Sequence, residues 1–237
     1  MNKKVLLTGI SGYIANHCAV ELLKNGYSIR GSLRNISKSE KIVNAIKKEV
    51  DPKDNLEFCE LNLLNDEGWN DAAKGCDFVM HVASPFINIE PKDENEYIRP
   101  AVDGTMRALK AAKSAGVKRV VLTSSMVSML GNADKSIDVD AETWTNIKGK
   151  NVSAYSKSKT LAEQAAWNFI NAQTDNTKTE LAVVNPGPVF GPSLSGDLSG
   201  ASMSMFTQMM QGKMPMVPQA SINMSDVRDI AKIHVLA

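Results

Sequence analysis

The chain has 237 residues, of which 43% are hydrophobic and 22% are charged, as is typical of a globular protein with one substantial core. Its formal net charge of +1 gives no electrostatic reason to expect nucleic acid or an anionic membrane as a partner. The sequence lacks a run of about 18 apolar residues for a membrane span and an apolar signal-peptide core before Gly9, so we expect a cytoplasmic protein.

Short apolar runs alternate with longer amphipathic stretches over the first 185 residues. The apolar runs predict strands at Lys4–Thr8, Ser28–Leu33, Leu56–Leu61, Asp77–Val82, Lys118–Ser124 and Glu180–Val184. The amphipathic stretches predict helices at Gly12–Asn25, Ser37–Val50, Glu67–Lys74, Asn95–Ala115 and Val152–Gln173. Strands that alternate with helices pair in parallel through right-handed crossovers. We therefore predict an α/β fold with a Rossmann-type, doubly wound parallel sheet.

The composition changes after Asn185, where Pro, Gly, Ser and Met become frequent. This region predicts loops, one short helix at Ser202–Gln211, and a final helical segment at 226–237. We expect residues 1–185 to form a nucleotide-binding domain that carries the catalytic residues. Residues 186–237 are expected to form a small substrate-binding lobe whose final segment packs back on the core. No stop signal follows that segment, so we expect the lobe to be incomplete.

Cysteine and histidine residues show no metal-binding pattern. The chain contains three of each, scattered along the sequence, with no Cys-x-x-Cys pair. An odd number of cysteines also argues against a disulfide framework. We therefore predict no metal site.

A glycine-rich turn directly follows the first predicted strand and opens the first helix. Gly9 permits a sharp turn, Gly12 lets the backbone approach a pyrophosphate, and Ala15 keeps the helix close to the sheet. The free N–H groups and the dipole of the first helical turn favour phosphate. The predicted cofactor-binding residues of this turn are Thr8, Gly9, Ser11, Gly12, Tyr13 and Ile14.

The end of the second predicted strand indicates which dinucleotide binds. Sites specific for NAD usually place an acid here, on the ribose 2′-hydroxyl. The segment 29–35 contains no acid and carries Arg34 near its end, and Lys41 follows seven residues later. A guanidinium pairs well with a 2′-phosphate. NADP(H) is therefore the predicted cofactor, bound through Arg34 and Lys41; the alternative is that both are solvated surface charges.

Tyr155 and Lys159 are four residues apart in a predicted helix, so both side chains lie on one face. A phenol has an ordinary pKa near 10, and a nearby ammonium lowers that pKa toward the range useful for proton exchange. Lys159 can also reach the hydroxyl groups of the nicotinamide ribose. Ser125 follows the fifth predicted strand, at the sheet edge where open parallel sheets bind ligands. Its hydroxyl can hold a substrate carbonyl, and Ser124 is the alternative for this role.

These motifs resemble those of the extended short-chain dehydrogenases/reductases, within the NAD-dependent epimerase/dehydratase superfamily. The resemblance is strongest to the dihydroflavonol-reductase-like branch, which includes cinnamoyl-CoA reductases and microbial aldehyde and ketone reductases. It covers nearly the whole chain and includes three further segments, at 81–85 (His-Val-Ala-Ser-Pro), 185–192 (Asn-Pro-Gly-Pro-Val-Phe-Gly-Pro) and 226–229 (Asp-Val-Arg-Asp).

The resemblance implies a role for each matching residue. Ser125, Tyr155 and Lys159 match the catalytic triad, and Tyr155 and Lys159 also contact the cofactor. Asn62 stands where the family usually has an Asp beside the adenine, and an amide can still hydrogen-bond the base. The further cofactor-binding residues implied are Asn62, Leu63, Val82, Ala83, Ser84, Pro186, Gly187 and Val189. Members of the family continue well past the 226–229 segment, which again implies an incomplete substrate lobe.

Together, the motifs predict an NADP-dependent oxidoreductase that reduces an aldehyde or ketone to an alcohol, with hydride from NADPH and a proton from Tyr155. The enzymatic alternative is a sugar-nucleotide epimerase or dehydratase, or a hydroxysteroid dehydrogenase. The alternative of another class is a sensor that binds NADP without chemistry.

The partner is a small carbonyl compound that the sequence does not identify. Its pocket is predicted from the Phe86–Tyr97 loop, the Met126–Trp144 segment and the methionine-rich Met203–Met216 stretch. Two predicted long helices, 95–115 and 152–173, either pair across the two-fold axis of a homodimer or are covered within one chain.

Overall fold

Six parallel strands form the main sheet of the structure, a computed structural model that describes residues 2–85, 91–131, 138–174, 178–213, 216 and 223–237. The strands are β1 (Lys4–Thr8), β2 (Ser28–Leu33), β3 (Leu56–Glu60), β4 (Phe78–His81), β5 (Arg119–Thr123) and β6 (Glu180–Val184). They lie in the order β3-β2-β1-β4-β5-β6, and each neighbouring pair is parallel. The order reverses between β1 and β4, so a crevice opens beyond their carboxyl ends.

Helices cover both faces of this sheet because alternate residues of a buried strand point to opposite sides. Val5 and Leu7 of β1 pack in the core that contains α1 and α2. Leu6 packs in the opposite core, which contains α3, α4 and α6. The helices are α1 (Tyr13–Lys24), α2 (Ser39–Ile46), α3 (Trp69–Ala73), α4 (Asn95–Ser114), α5 (Val127–Leu130), α6 (Ala154–Asn171), α7 (Ala201–Met210) and α8 (Val227–Leu236). The predicted α/β fold with a doubly wound parallel sheet is confirmed.

Local sequence explains where several of these helices begin. The hydroxyl of Ser153 accepts a hydrogen bond from the Ser156 amide and caps α6, and the carboxylate of Asp226 accepts one from the Arg228 amide and caps α8. The helix predicted at Ser37–Val50 is shorter in the structure. A 3₁₀ turn at Ile36–Lys38 precedes α2, because Asn35 caps that turn by accepting from the Ser37 amide.

The described part of the C-terminal region adds two strands and two helices to this framework. Strands β7 (Val189–Phe190) and β8 (Ser225–Asp226) pair in parallel as a separate small sheet. Helix α8 lies against α1, and its Val227 and Ile230 pack on Tyr13 and Ile14. The two long helices, α4 and α6, pack on each other within one chain. No described helix is long and apolar enough to cross a membrane.

Candidate active site

The glycine-rich turn meets the end of β4 in a contact that only glycine permits. Gly9 has a φ of +66°, and its amide donates to the Ser32 hydroxyl across 3.0 Å. A Cβ at this position would lie 2.9 Å from the Cβ of Ala83. Gly12 closes the turn by donating to the Gly9 carbonyl across 2.8 Å. The turn between β1 and α1 is therefore held directly against the segment that follows β4.

The first turn of α1 has the features of an anion-binding helix N-terminus. Its N-cap residue is Gly12, no side chain caps the helix, and no acidic residue lies in the first turn. The first amide groups of a helix have no partner within the helix, so those of Tyr13 and Ile14 face outward beside the exposed Ser11. The Tyr13 hydroxyl itself donates to the Gly191 carbonyl across 2.9 Å, and burial raises the pKa of Tyr13 to about 12. Tyr13 thus offers a cofactor its amide rather than its hydroxyl.

Thr8 fixes the floor of the crevice between β1 and β4. Its hydroxyl accepts from the Ala83 amide across 3.1 Å and is hydrogen-bonded to Nδ1 of His81 across 2.9 Å. His81 is buried, and burial together with the charge of Lys159 lowers the pKa of His81 to about 3. His81 is therefore neutral near pH 7. Val82, Ala83 and Ser84 follow it, half-buried, at the mouth of the crevice.

The residues predicted to contact the adenosine end of NADP(H) lie beyond β2 and β3. Arg34 and Lys41 are exposed, at the end of β2 and in α2. The Asn62 side-chain oxygen accepts from the Leu64 amide across 3.0 Å, so the turn already uses this oxygen. Leu63 packs on α4, where a Cβ at Gly104 would lie 2.6 Å from Leu63 Cδ2.

Ser125 and Tyr155 are brought together at the carboxyl edge of the sheet, although 30 residues separate them in sequence. The Ser125 hydroxyl lies close enough to the phenol to lower the pKa of Tyr155, but burial has the larger effect and the net pKa is raised. Tyr97 of α4 packs edge-on against the Tyr155 ring, with 6.1 Å between ring centroids, and also raises this pKa. The net direction is opposite to the lowering that the sequence argument expected from Lys159.

Lys159 lies one turn after Tyr155 on α6 and is buried. Its Nζ donates to the Thr123 carbonyl at the end of β5, across 3.2 Å. Burial lowers the pKa of Lys159 to about 8, and the charge of Glu163 opposes this shift. The hydroxyl of Thr123 in turn donates to Nε2 of His234 across 2.7 Å, because Nδ1 of that neutral imidazole donates to a backbone carbonyl.

A cavity of about 10 Å³ lies beside Lys159 and is lined by groups that include His81, Ser84, Ser124 and Glu163. It lies between the end of β4 and helix α6. The buried hydroxyl of Ser124 has no hydrogen-bond partner among the described residues. Of the two serines that the sequence left as candidates, the structure therefore places Ser125 on Tyr155 and Ser124 against this cavity.

The segment that follows β6 also lies at the carboxyl edge of the sheet. The Pro186 carbonyl accepts from the Met126 amide across 2.9 Å, and a Cβ at Gly187 would lie 3.0 Å from the Met126 sulfur. The Val189 amide donates to Ser202 across 3.1 Å. Of the predicted substrate pocket, residues 86–90, 132–137 and 214–215 lie outside the described residues.

Three polar residues of this site were not singled out as functional from the sequence. Glu163, Ser128 and Asn185 join their side chains in a buried network behind Lys159. Glu163 lies four residues after Lys159 and therefore on the same helix face. That spacing was the one sequence signal that could have identified it.

The geometry described above is that of a dinucleotide-dependent enzyme of the Rossmann class. The model of the NAD dependent epimerase/dehydratase family matches residues 5–237, and the chain belongs to this family. The resemblance stated from the sequence motifs is thereby confirmed.

Two relatives and one solved structure illustrate the similarity. A cinnamoyl-CoA reductase from Medicago truncatula is 34% identical over 240 residues, covering 98% of this chain and 71% of the relative. The NADPH-dependent methylglyoxal reductase GRE2 of Saccharomyces cerevisiae is 32% identical over 252 residues, covering 98% and 73%. The crystal structure of yeast methylglyoxal/isovaleraldehyde reductase Gre2 complexed with NADPH superposes with a TM-score of 0.85, at 31% identity, covering 99% of this chain and 73% of that one.

Proposed function

We propose that this chain is an NADPH-dependent reductase that converts the carbonyl group of an aldehyde or ketone into an alcohol. One observation carries this proposal: the hydroxyl groups of Ser125 and Tyr155 come together beside the buried Lys159, at the sheet edge where the dinucleotide crevice opens. The similar proteins named above are themselves reductases by name, and one of them is described as NADPH-dependent.

Each residue has a distinct role in the proposed reaction. Tyr155 is the proton donor to the carbonyl oxygen, and Ser125 orients that oxygen toward the phenol. Lys159 presents a positive charge that stabilises the phenolate left after proton transfer. Bound NADPH supplies the hydride that is added to the carbonyl carbon.

The described residues fit NADPH as the cofactor. The close contact of Gly9 with Ala83 shapes the crevice, and the uncapped start of α1 offers amide groups to the pyrophosphate. Arg34 is exposed at the end of β2, where a 2′-phosphate would pair with a guanidinium. A cytoplasmic location is part of this proposal, because the reaction draws on the cellular pool of NADPH.

Replacing Tyr155 with Phe tests the proposal. The phenol is removed while the ring against Tyr97 remains, so NADPH should bind with unchanged Kd while kcat falls by a factor of about 10²–10⁴. Carbonyl-dependent NADPH oxidation gives kcat, and nucleotide fluorescence gives Kd. The matched control is Tyr27→Phe, at a tyrosine that packs on Phe78 away from the crevice.

Three outcomes separate the candidate functions. Turnover that survives in Tyr155→Phe contradicts the assigned proton donor. A wild-type protein that binds NADPH but oxidises it with no aldehyde or ketone would instead be a sensor. A cofactor that stays bound through purification and is regenerated in each cycle would indicate an epimerase or dehydratase.

A further inference from the structure

Glu163 is a buried acid behind the catalytic pair, in a position where an uncompensated carboxylate would be strongly unfavourable. Only 7% of its surface is exposed. Its Oε2 accepts hydrogen bonds from the Ser128 hydroxyl and from the side-chain amide of Asn185, each across 2.8 Å. Both donors come from other parts of the chain, one from α5 and one from the residue after β6. The fold thus provides Glu163 with specific partners.

The same two donors hold the backbone of Ser125. The Ser128 hydroxyl lies 2.9 Å from the Ser125 carbonyl oxygen and shares its single proton between that oxygen and Glu163. Nδ2 of Asn185 lies 3.3 Å from the same carbonyl oxygen, which also accepts from the Ser128 backbone amide across 2.9 Å. Nδ2 of Asn185 also lies 2.9 Å from the Ser128 hydroxyl oxygen, which can accept from it while that hydroxyl donates to Glu163. The two N–H groups of Asn185 are thus shared among three oxygens. The carboxylate of Glu163 therefore orients the two groups that fix the backbone of the proposed substrate-orienting serine.

Glu163 also faces Lys159. The two side chains are one helical turn apart and line the same cavity of about 10 Å³, which has the volume of a single water. The other titratable groups around Lys159, among the described residues, are His81 on β4, Tyr155 on α6 with Tyr97 of α4 behind it, and His234 of α8 beyond Thr123. None of these carries a negative charge near pH 7, so Glu163 is the acid that faces the Lys159 ammonium.

We propose that Glu163 is a positioning residue for both partners of Tyr155: its carboxylate anchors Ser125 through Ser128 and Asn185, and it keeps Lys159 charged and in place. This inference rests on the proposed reductase function only for its kinetic readouts. The anchoring contacts and the charge that faces Lys159 exist whether or not the chain reduces carbonyls.

The charge of Glu163 has a measurable consequence at Lys159. Burial already lowers the pKa of Lys159 to about 8, and Glu163 acts in the opposite direction by favouring the ammonium. In Glu163→Gln that support is lost, so Lys159 loses its proton at a lower pH. The alkaline limb of the kcat profile should move down by about one pH unit.

The test compares four proteins: wild type, Glu163→Gln, Glu163→Asp and the control Glu180→Gln. Glu180 lies on β6 in an exposed pair with Arg119, so its substitution removes the same charge far from Lys159. The ¹³Cε resonance of Lys159, assigned with Lys159→Met, reports its pKa without any substrate. We expect a pKa lower by about one unit in Glu163→Gln, restored in Glu163→Asp and unchanged in Glu180→Gln.

The anchoring part is tested separately with Ser128→Ala. This variant removes the hydroxyl donor but keeps the carboxylate, so kcat should fall about tenfold while the alkaline limb and NADPH Kd stay in place. An unchanged kcat in Ser128→Ala overturns the anchoring role. An unchanged Lys159 pKa in Glu163→Gln overturns the electrostatic role. If Glu163→Gln does not fold, Glu163→Asp provides the test. That variant keeps the negative charge, so an alkaline limb that has moved down in Glu163→Asp also overturns the electrostatic role.

Failure of the proposed function has a different signature. In that case the wild type and Glu180→Gln would both lack carbonyl-dependent NADPH oxidation, while the NMR titration of Lys159 would still respond to Glu163→Gln. If the protein reduces carbonyls but the Lys159 pKa and the alkaline limb of kcat are the same in Glu163→Gln and Glu180→Gln, the inference about Glu163 is contradicted. The proposed reductase function is then unaffected.

Discussion

Substituting Gly9 by Ala should cost far more stability than the same change at a glycine with equal backbone geometry. Gly116 is the matched control, because its φ of +69° is close to the +66° of Gly9, yet a Cβ there would meet nothing within 4 Å. Left-handed backbone disfavours Ala by about 1 kcal/mol at either position. At Gly9 the new Cβ would also lie 2.9 Å from Ala83 Cβ and 3.0 Å from Ala83 Cα.

Those two distances are well below the optimum of about 3.5–4.0 Å for carbon pairs. One of the opposing atoms belongs to the backbone, so it cannot move aside by a rotamer change. Overpacking of this kind costs about 1–3 kcal/mol. The expected loss in the free energy of unfolding is therefore about 3 kcal/mol for Gly9→Ala, against about 1 kcal/mol for Gly116→Ala.

Urea unfolding followed by circular dichroism measures both losses. In a thermal scan, the same values correspond to decreases in Tm of about 9 °C and about 3 °C for a chain of this size. NADPH titration of the folded variants should show weakened binding for Gly9→Ala only, because displacement of Ala83 disturbs the crevice. Equal losses at the two positions, within about 0.5 kcal/mol, would refute the close approach of the glycine turn to the end of β4.

Two further predictions concern the cofactor and the response to acid. Arg34→Ala should raise the Kd for NADPH about 10–100-fold and leave the Kd for NADH unchanged, because a charge-assisted contact contributes about 1.5–3 kcal/mol. Nucleotide fluorescence measures both Kd values. Equal weakening of the binding of both nucleotides would exclude Arg34 from the 2′-phosphate site. The pKa of His81, about 3 when folded, lies below its ordinary 6.5, so the unfolded chain binds the extra proton and stability falls as pH drops from about 6.5 toward 3. His81→Gln keeps a side chain that can donate to or accept from Thr8, but it removes the titrating group. The stability lost between pH 7 and pH 5, measured by urea unfolding, should therefore be about 2 kcal/mol smaller in His81→Gln than in the wild type, and an unchanged pH dependence would disprove the assignment.

Strand positions were predictable because burial on both faces leaves a strong sequence signal. The apolar run at Lys4–Thr8 ends at the polar start of the glycine turn, and the predicted bounds agree with those of β1. Shorter elements carry no comparable signal. Helix α5 spans four residues and β7 and β8 two each, which is about one period of the helical or strand pattern and too short for a repeat to be recognised.

The candidate site was predictable only where its residues are neighbours along the chain. Tyr155 and Lys159 are one helical turn apart, so their spacing predicts a shared face. The network around Glu163 is different, since Ser128 lies 35 residues before it and Asn185 lies 22 residues after it. Such contacts arise from the packing of α5, α6 and the end of β6. The raised pKa of Tyr155 was also beyond sequence reasoning, because it depends on burial beneath Tyr97.

Thr123 has a consequence for how the newly made protein matures. Its carbonyl accepts a hydrogen bond from Lys159, and its hydroxyl donates one to His234 of α8. During translation the crevice around Ala83 leaves the ribosome about 150 residues ahead of His234, a delay of roughly 8–30 s at common elongation rates. Throughout this delay the apolar side of α1 that α8 later covers stays open to water. Chaperone protection would matter most in this interval, because the hydrogen bond from Thr123 to His234 forms only after α8 has emerged.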